Sequence, residues 1–289
     1  MDTHADSIRR TDVANGGVRT VFVIGPPRSG TTLLSFLLAG GPRVLSLSEP
    51  FRLHEVFPRW GLWWTYRQMS KAHGFKAIAP RTRLSDAALL THLRDAATRN
   101  AMSTVVVKET FRSDREWANL RLLESFVSSG EPVAAIIRHP VDCAVSTLKM
   151  FRLWRGLVGH LVRPIVPDLP LFSGDADIVE YAAKTWCDFA RWCALHELPV
   201  VRYEDLVRKP ADQLRTLCDL CGITFDPNML DSNHPRGPFG GIGDPGVMTR
   251  PARAVSARSV GRRRQLPLRL HQTVREACAP LAGTWDYTL

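Results

Sequence analysis

Short apolar runs of four to six residues recur along the chain, with stretches of helical spacing between them, and this alternation restricts the fold more than any other feature. The runs are TVFVI (20–24), VLSL (44–47), TVVV (104–107), VAAII (133–137) and LPVVRY (198–203). Helical patterns appear in TTLLSFLLAG, in SDAALLTHLRDAATRN with Ser85 as N-cap, and in the stretch from Ser113 to a terminal Gly130. Further helices are expected in VDCAVSTLKMFRLW, DADIVEYAAKTWCDFARWCALHEL, PADQLRTLCDLCG and PLRLHQTVREACAPLAG. Strands that alternate with helices pair in parallel through right-handed crossovers, so the expected fold is α/β, a three-layer sandwich around a central parallel sheet. Ligands of such sheets bind at the carboxyl ends of the strands, and the residues that follow each run are therefore the ones to read for function.

With 289 residues and 45% hydrophobic side chains, the chain can bury one large core. It reads as an N-terminal disordered tail (1–18) followed by one domain (19–289). Two stretches break the alternation, 151–178 and the Gly-, Pro- and Arg-rich 232–267, and both are expected to be lids or acceptor-side loops. For 250–264 a plain solvated basic loop is the competing reading. No apolar run is long enough to span a membrane and the N-terminus lacks a signal-peptide core, which points to a soluble, cytoplasmic chain. The net charge of +10 implies a surface that attracts anions: nucleic acid, acidic lipid or a small phosphorylated ligand. Six scattered cysteines, with Cys218 and Cys221 inside a helical pattern and no second pair, read as buried thiols and not as a metal site.

After the first strand comes GPPRSGTT and then a helix, an order that aims the N–H groups of a turn and of a first helical turn at one spot where anions bind. Gly25 and Gly30 permit the turn, the hydroxyls of Ser29, Thr31 and Thr32 can donate to phosphate oxygens, and Arg28 adds charge. A nucleotide triphosphatase would carry lysine directly after the second glycine, where this chain has Thr31. The loop therefore suits a single 5′-phosphate better than a triphosphate with magnesium. A purely structural turn is the alternative for the loop alone.

A second stretch, RHPVDCAVS (138–146), follows the VAAII strand. His139-Pro140 ends the strand, Asp142 opens a helix, and Ser146 lies about one turn further on, so Arg138 and Ser146 are expected to face a second phosphate at the same sheet edge. Asp142 reads as a helix-start residue favoured by the dipole, and His139 as local structure beside proline.

Together these two stretches resemble the sulfotransferases that use 3′-phosphoadenosine 5′-phosphosulfate (PAPS). PPRSGTTLL is similar to the family's 5′-phosphosulfate motif, and RHPVDCAVS to its 3′-phosphate motif, with Arg and Ser eight positions apart and about 110 residues between the motifs. The PRSGTT form, with Arg28 in place of the lysine common in cytosolic members, resembles tyrosylprotein, carbohydrate and many bacterial sulfotransferases. LSEPF (47–51) places Glu49 where tyrosylprotein sulfotransferases carry their general base, and VVVKET (105–110) is similar to the strand end that lines the acceptor site. VVRYEDLVRKP (200–210) is similar to the family's Tyr-Glu-Asp stretch, which puts Tyr203 near the adenine. SVGRRRQL (259–266) is similar to the loop that closes over the nucleotide, and departs from it at Arg263, where many relatives have tryptophan. The likeness covers roughly 20–150 and 198–289.

The resemblance implies a P-loop-like nucleotide-binding core on a five-stranded parallel sheet, PAPS as donor, adenosine 3′,5′-bisphosphate as product, and no metal. Implied donor-binding residues are Pro27, Arg28, Ser29, Gly30, Thr31, Thr32, Arg138, Ser146, Tyr203, Ser259, Val260, Gly261 and Arg262. Sulfuryl transfer in line to a hydroxyl needs charge stabilisation and a proton acceptor. Glu49, its pKa raised by burial, is the first candidate base, with pairing to Arg28 or Arg52 as the competing role. Glu109 is the second candidate, since the catalytic histidine of cytosolic members is missing, and Lys108 is placed to steady the transferring group. The acceptor is a small molecule, glycan or lipid hydroxyl, with aromatic residues of 57–66 and 150–154 either lining its pocket or filling the core. Two other classes fit parts of the chain: a kinase using ATP and magnesium, and a basic nucleic-acid-binding protein, although no base-stacking module accompanies the charge. A homodimer is compatible with the sequence.

Overall fold

The computed structural model describes residues 17–113, 118–157, 172–231, 237–242 and 255–289. The expected N-terminal tail, apart from its last two residues, and the larger parts of both pattern-breaking stretches lie outside the described residues. Five strands match the apolar runs: β1 (Arg19–Gly25), β2 (Val44–Ser48), β3 (Thr104–Thr110), β4 (Val133–Ile137) and β5 (Val200–Arg202). A sixth, β6 (Phe239–Gly241), joins them in one sheet of order β5-β4-β1-β3-β2-β6. Every pair is parallel. Because all six strands run one way, their carboxyl ends share one edge. There the register puts Gly25 beside Thr110 and Ser48 beside Lys108.

The helices are α1 (Thr31–Leu38), α2 (Pro50–Val56), α3 (Gly61–His73), α4 (Asp86–Arg99), α5 (Ala118–Ser128) and α6 (Pro140–Leu157). They continue with α7 (Asp175–Leu195), α8 (Tyr203–Arg208), α9 (Pro210–Cys221) and α10 (Leu268–Ala282). Side chains alternate across each strand, so the sheet feeds two cores at once. Phe22, Ile24, Val105 and Val107 pack with Leu93, Leu123 and Phe126 on one face. Val21, Val23 and Val106 pack with Leu34, Leu37 and Leu214 on the other. A third cluster joins α6, α7 and α10 through Leu148, Trp186 and Val274. Ser85 caps α4, its hydroxyl accepting the Ala88 N–H at 3.3 Å, as its position before the helical pattern predicts. All six cysteines are buried free thiols.

Three features differ from the sequence expectation. The resemblance implies five strands, whereas the 232–267 stretch supplies a sixth at the edge, paired with β2 from Ser46↔Phe239 to Ser48↔Gly241. It has no apolar run to announce it because close approach selects glycine: a Cβ on Gly241 (φ 110°) would lie 2.0 Å from the Ser48 carbonyl oxygen. The β5 strand stops at Arg202, and Tyr203 opens α8 instead of ending the strand. The aromatic stretch at 57–66 runs into a helix, α3, that buries Leu62, Tyr66 and Met69 but exposes Trp60, Trp63 and Trp64.

Candidate active site

The turn after β1 is held in the conformation its glycines anticipate. Gly30 has φ 106°, and a Cβ there would lie 2.5 Å from the Tyr203 ring, so the ring packs directly on the turn. Arg28 also has positive φ (68°), a strained setting for a side chain that this turn imposes. Its Nε donates to Ser146 Oγ at 3.1 Å, which joins the first motif to the second across 118 residues. Arg138 Nη1 donates to the Arg28 carbonyl at 3.2 Å, and the Arg138 guanidinium lies 4.6 Å from the centre of the Tyr203 ring. Arg28, Arg138, Ser146 and Tyr203 thus meet around one turn, at the ends of β1, β4 and β5 and on α6.

The 259–262 stretch closes this group from outside. Arg138 Nη2 donates to the Ser259 carbonyl, and the Tyr203 hydroxyl bonds to Ser259 Oγ. Gly261 N–H donates to Asp142 Oδ2 at 2.8 Å. Val260 packs half-buried against the core beneath, and Arg262 opens the next short 3-10 turn. Asp142 does open a helix, as its position suggests, and in addition anchors the closing loop and lies 3.9 Å from Arg138 Nη2. His139 is part of the local frame: its N–H donates to Glu204 Oε1 at 3.0 Å, while Glu204 Oε2 accepts from the Tyr287 hydroxyl at 2.9 Å. Glu204 is a buried organiser that the sequence reading passed over, although it stands next to Tyr203 in the Tyr-Glu-Asp stretch. Two buried polar atoms at this spot, Ser29 Oγ and Arg138 Nε, have no partner among the described residues. Both are groups that an anion satisfies, so the residues present fit a phosphorylated ligand.

The ends of β2 and β3 carry a different chemistry. Glu49 has a left-handed backbone (φ 55°) between β2 and Pro50, which turns its side chain back toward β3. Lys108 Nζ meets Glu49 Oε1 at 2.6 Å, Thr110 Oγ1 donates to the same oxygen at 2.8 Å, and Arg112 Nη2 lies 3.5 Å from Oε2. Lys108 and Thr110 reach one carboxylate because residues two apart share a strand face, a signal present in KET but not read from it. The expected pairing of Glu49 with Arg28 or Arg52 is corrected to Lys108 and Arg112. So is the expected direction of its pKa. Burial pulls the Glu49 pKa up, but the charges of Lys108 and Arg112 and the hydrogen bonds from Lys108 and Thr110 together hold it at about 2. The rise belongs to Glu109: burial and the neighbouring Glu49 charge push it up to about 8, against Lys108, the Phe51 N–H and Arg112. Glu109 Oε1 accepts that Phe51 N–H at 2.9 Å.

Glu49, Glu109, Thr110 and Arg112 line a cavity of about 210 Å³, walled by Phe51, Leu84, Leu89 and Leu122 and by Arg52, Arg83 and Arg121. The aromatic residues proposed for an apolar acceptor pocket do not line it. Of those at 57–66, Tyr66 belongs to the core and the tryptophans lie on the surface. Phe151 packs edge-on against Phe172, and the side chain of Trp154 lies outside the described set.

This combination of parallel sheet, strand-end turn and neighbouring arginines defines an α/β protein whose strand-end edge fits an anion. The model of the sulfotransferase family matches residues 20–227, and the chain belongs to that family, a family of transferases. No curated protein sequence matches it. Among solved structures, it is similar to the sulfotransferase domain of the Synechococcus PCC 7002 olefin synthase (20% identity, TM-score 0.54), covering 94% of this chain and 96% of that one. The sulfotransferase domain of the curacin biosynthetic pathway gives 20% identity and TM-score 0.53, over 94% and 99% of the two chains. Mouse sulfotransferase SULT7A1, solved in complex with PAP, gives 14% and 0.54, over 93% and 85%. At these identities the likeness is one of fold.

Proposed function

We propose that the protein moves a sulfuryl group from PAPS to a hydroxyl of a small-molecule, glycan or lipid acceptor, in line and without a metal. The observation that carries the reading is the 3.1 Å hydrogen bond from Arg28 to Ser146, which makes one cradle of two motifs far apart in sequence. The complex of the mouse relative with PAP, the bisphosphate left when the donor gives up its sulfuryl group, supports the choice of donor. The bound donor supplies an activated sulfuryl group and a 5′-phosphate leaving group. On this reading Arg28, Ser29, Thr31, Thr32 and the turn of Pro27 and Gly30 hold the 5′ side. Arg138 and Ser146 hold the 3′-phosphate. Tyr203 and residues 259–262 cover the nucleoside. Interactions of this kind with developing charge contribute about 3 to 4 kcal/mol each in other enzymes.

Glu49 takes the acceptor proton. It is the carboxylate that stays ionised through the neutral range, whereas Glu109 is held largely protonated beside it. Lys108, in contact with both Glu49 and Thr110, supplies positive charge at the point where donor and acceptor meet.

Calorimetry tests the donor site: adenosine 3′,5′-bisphosphate is expected to bind without metal and far more tightly than ATP with magnesium or an oligonucleotide. A preference for ATP with magnesium sinks the proposal. For the base, Glu49→Ala is expected to abolish turnover while leaving bisphosphate affinity within about threefold. The pH dependence of kcat/KM separates the candidates. With Glu49 as base, kcat/KM stays level from pH 5 to pH 8, above the Glu49 pKa of about 2, and with Glu109 it climbs toward the Glu109 pKa of about 8. Acceptors are found by the mass gain of one sulfuryl group.

A further inference from the structure

The 30 residues from Val56 to Ser85 contain no Asp or Glu and six Lys or Arg: Arg59, Arg67, Lys71, Lys76, Arg81 and Arg83. All six are exposed. This stretch also carries the densest cluster of exposed large apolar side chains among the described residues: Trp60 (66% exposed), Trp63 (41%), Trp64 (49%) and Ile78 (73%). On α3 and its N-cap the spacing is ordered. Positions 62, 65, 66 and 69 are buried, while 60, 63, 64, 67 and 71 share the outer face, so that face pairs indoles with cations. The guanidinium of Arg67 lies over the Trp63 ring at 5.2 Å. A depression of about 560 Å³ on this side is lined by Trp63, Arg67, Lys71, Lys76, Ile78 and Arg99.

Such a face does not suit plain water, because exposed indoles at helical spacing leave apolar area uncovered. We propose that it docks the protein, without crossing, onto the surface of a bilayer rich in anionic lipid. Tryptophan is the side chain that settles at the boundary between headgroups and acyl chains, its ring in the apolar layer and its N–H toward water. A helix lying in that plane needs apolar groups on one face and lysine or arginine to meet the lipid charge, and here both belong to one acid-free stretch. Single-stranded nucleic acid also takes rings and cations, but stacking wants flat platforms. The Trp60 and Trp63 rings stand at 90° to each other, and the most exposed apolar member of the patch, Ile78, is aliphatic. Near its end the same stretch carries Arg83 and Leu84, which line the cavity beside Glu49, so the docking stretch and that cavity share a wall.

The test uses the full chain and needs no turnover, so its result is independent of the sulfotransferase reading. Flotation with vesicles of equimolar phosphatidylcholine and phosphatidylglycerol is expected to carry the protein up, and vesicles of phosphatidylcholine alone are not. Raising the salt concentration weakens the partition. Lys71→Gln with Lys76→Gln is expected to lower it about 25-fold, roughly fivefold per charge removed. Trp60→Ala, Trp63→Ala and Trp64→Ala combined lower it by about tenfold or more, and brominated acyl chains quench the tryptophan fluorescence of the parent protein. An unchanged melting temperature verifies the fold of each variant, and the lysine variant alone decides if the tryptophan variant fails to fold. Equal binding to both vesicle types, no loss in the lysine variant, or displacement of the protein from anionic vesicles by a single-stranded oligonucleotide held on this face each overturns the proposal.

Discussion

The two halves of the sheet edge solve opposite electrostatic problems. At the ends of β1, β4 and β5 the guanidinium of Arg138 donates to the carbonyls of Arg28 and Ser259, with Asp142 3.9 Å away. At the ends of β2 and β3 the charges answer one another at contact distance, as in the 2.6 Å pair of Lys108 and Glu49. In the first half Arg138 meets neutral carbonyls, and its Nε has no partner among the described residues. The second arrives already paired, and its two carboxylates divide into one ionised and one protonated group. Shared topology therefore does not imply shared electrostatics, and the proposed function uses the difference: one half to bind an anion, the other to hold and move a proton.

That contrast is most easily broken at Lys108. Both it and Glu49 are buried, and removing one member of a buried pair strands the other in low dielectric, at a typical cost of about 3 to 5 kcal/mol. Lys108→Met is therefore expected to lower the unfolding free energy by that amount in denaturant titrations. Replacing both residues, Lys108→Met with Glu49→Leu, recovers most of the loss. If the double variant is no more stable than Lys108→Met, the pair is not the self-contained unit described above. On the other half, Arg138→Ala is expected to weaken adenosine 3′,5′-bisphosphate by about 100-fold or more, through two charge-assisted contacts of roughly 1.5 to 3 kcal/mol each. A comparable loss of affinity in Glu49→Ala erases the division between the halves.

The half proposed to hold the donor was the more legible in sequence, for a physical reason. Its residues lie in continuous stretches, GPPRSGTT and RHPVDCAVS, because a phosphate is gripped by a turn and the helix start after it. Chain order alone then places Arg28, Ser146 and Arg138 near one another once β1 and β4 are adjacent. The half proposed to meet the acceptor could be named residue by residue, but its charge states could not. The pKa values of Glu49 and Glu109 depend on which carboxylate Lys108 contacts, and that follows from the left-handed turn at Glu49 and the register of β2 on β3. The sixth strand was hidden because an edge three residues long, two of them glycine, carries no apolar run. The tryptophans of α3 misled for a related reason: ring-rich segments are usually buried, and only the helical phase shows which rings face out.

The smallest expected effect sharpens the comparison inside the half at the ends of β2 and β3, through the two carboxylates' opposite dependence on pH. Glu49 has a depressed folded pKa, about 2 against an ordinary 4.5, so its contribution is present above pH 4.5 and is lost as pH falls toward 2. Glu109 has a raised one, about 8 against 4.5, so its contribution is present below pH 4.5 and is lost as pH rises toward 8. Glu109→Gln keeps an acceptor for the Phe51 N–H and cannot ionise. Its stability relative to the parent is therefore expected to increase between pH 5 and pH 8, by roughly 1 to 3 kcal/mol at the upper end, with no change in slope below pH 4. Parallel stability curves for variant and parent across that range would mean that Glu109 is already ionised at neutral pH. The ionised-and-protonated division would then fail, and Glu109 would become as available a base as Glu49.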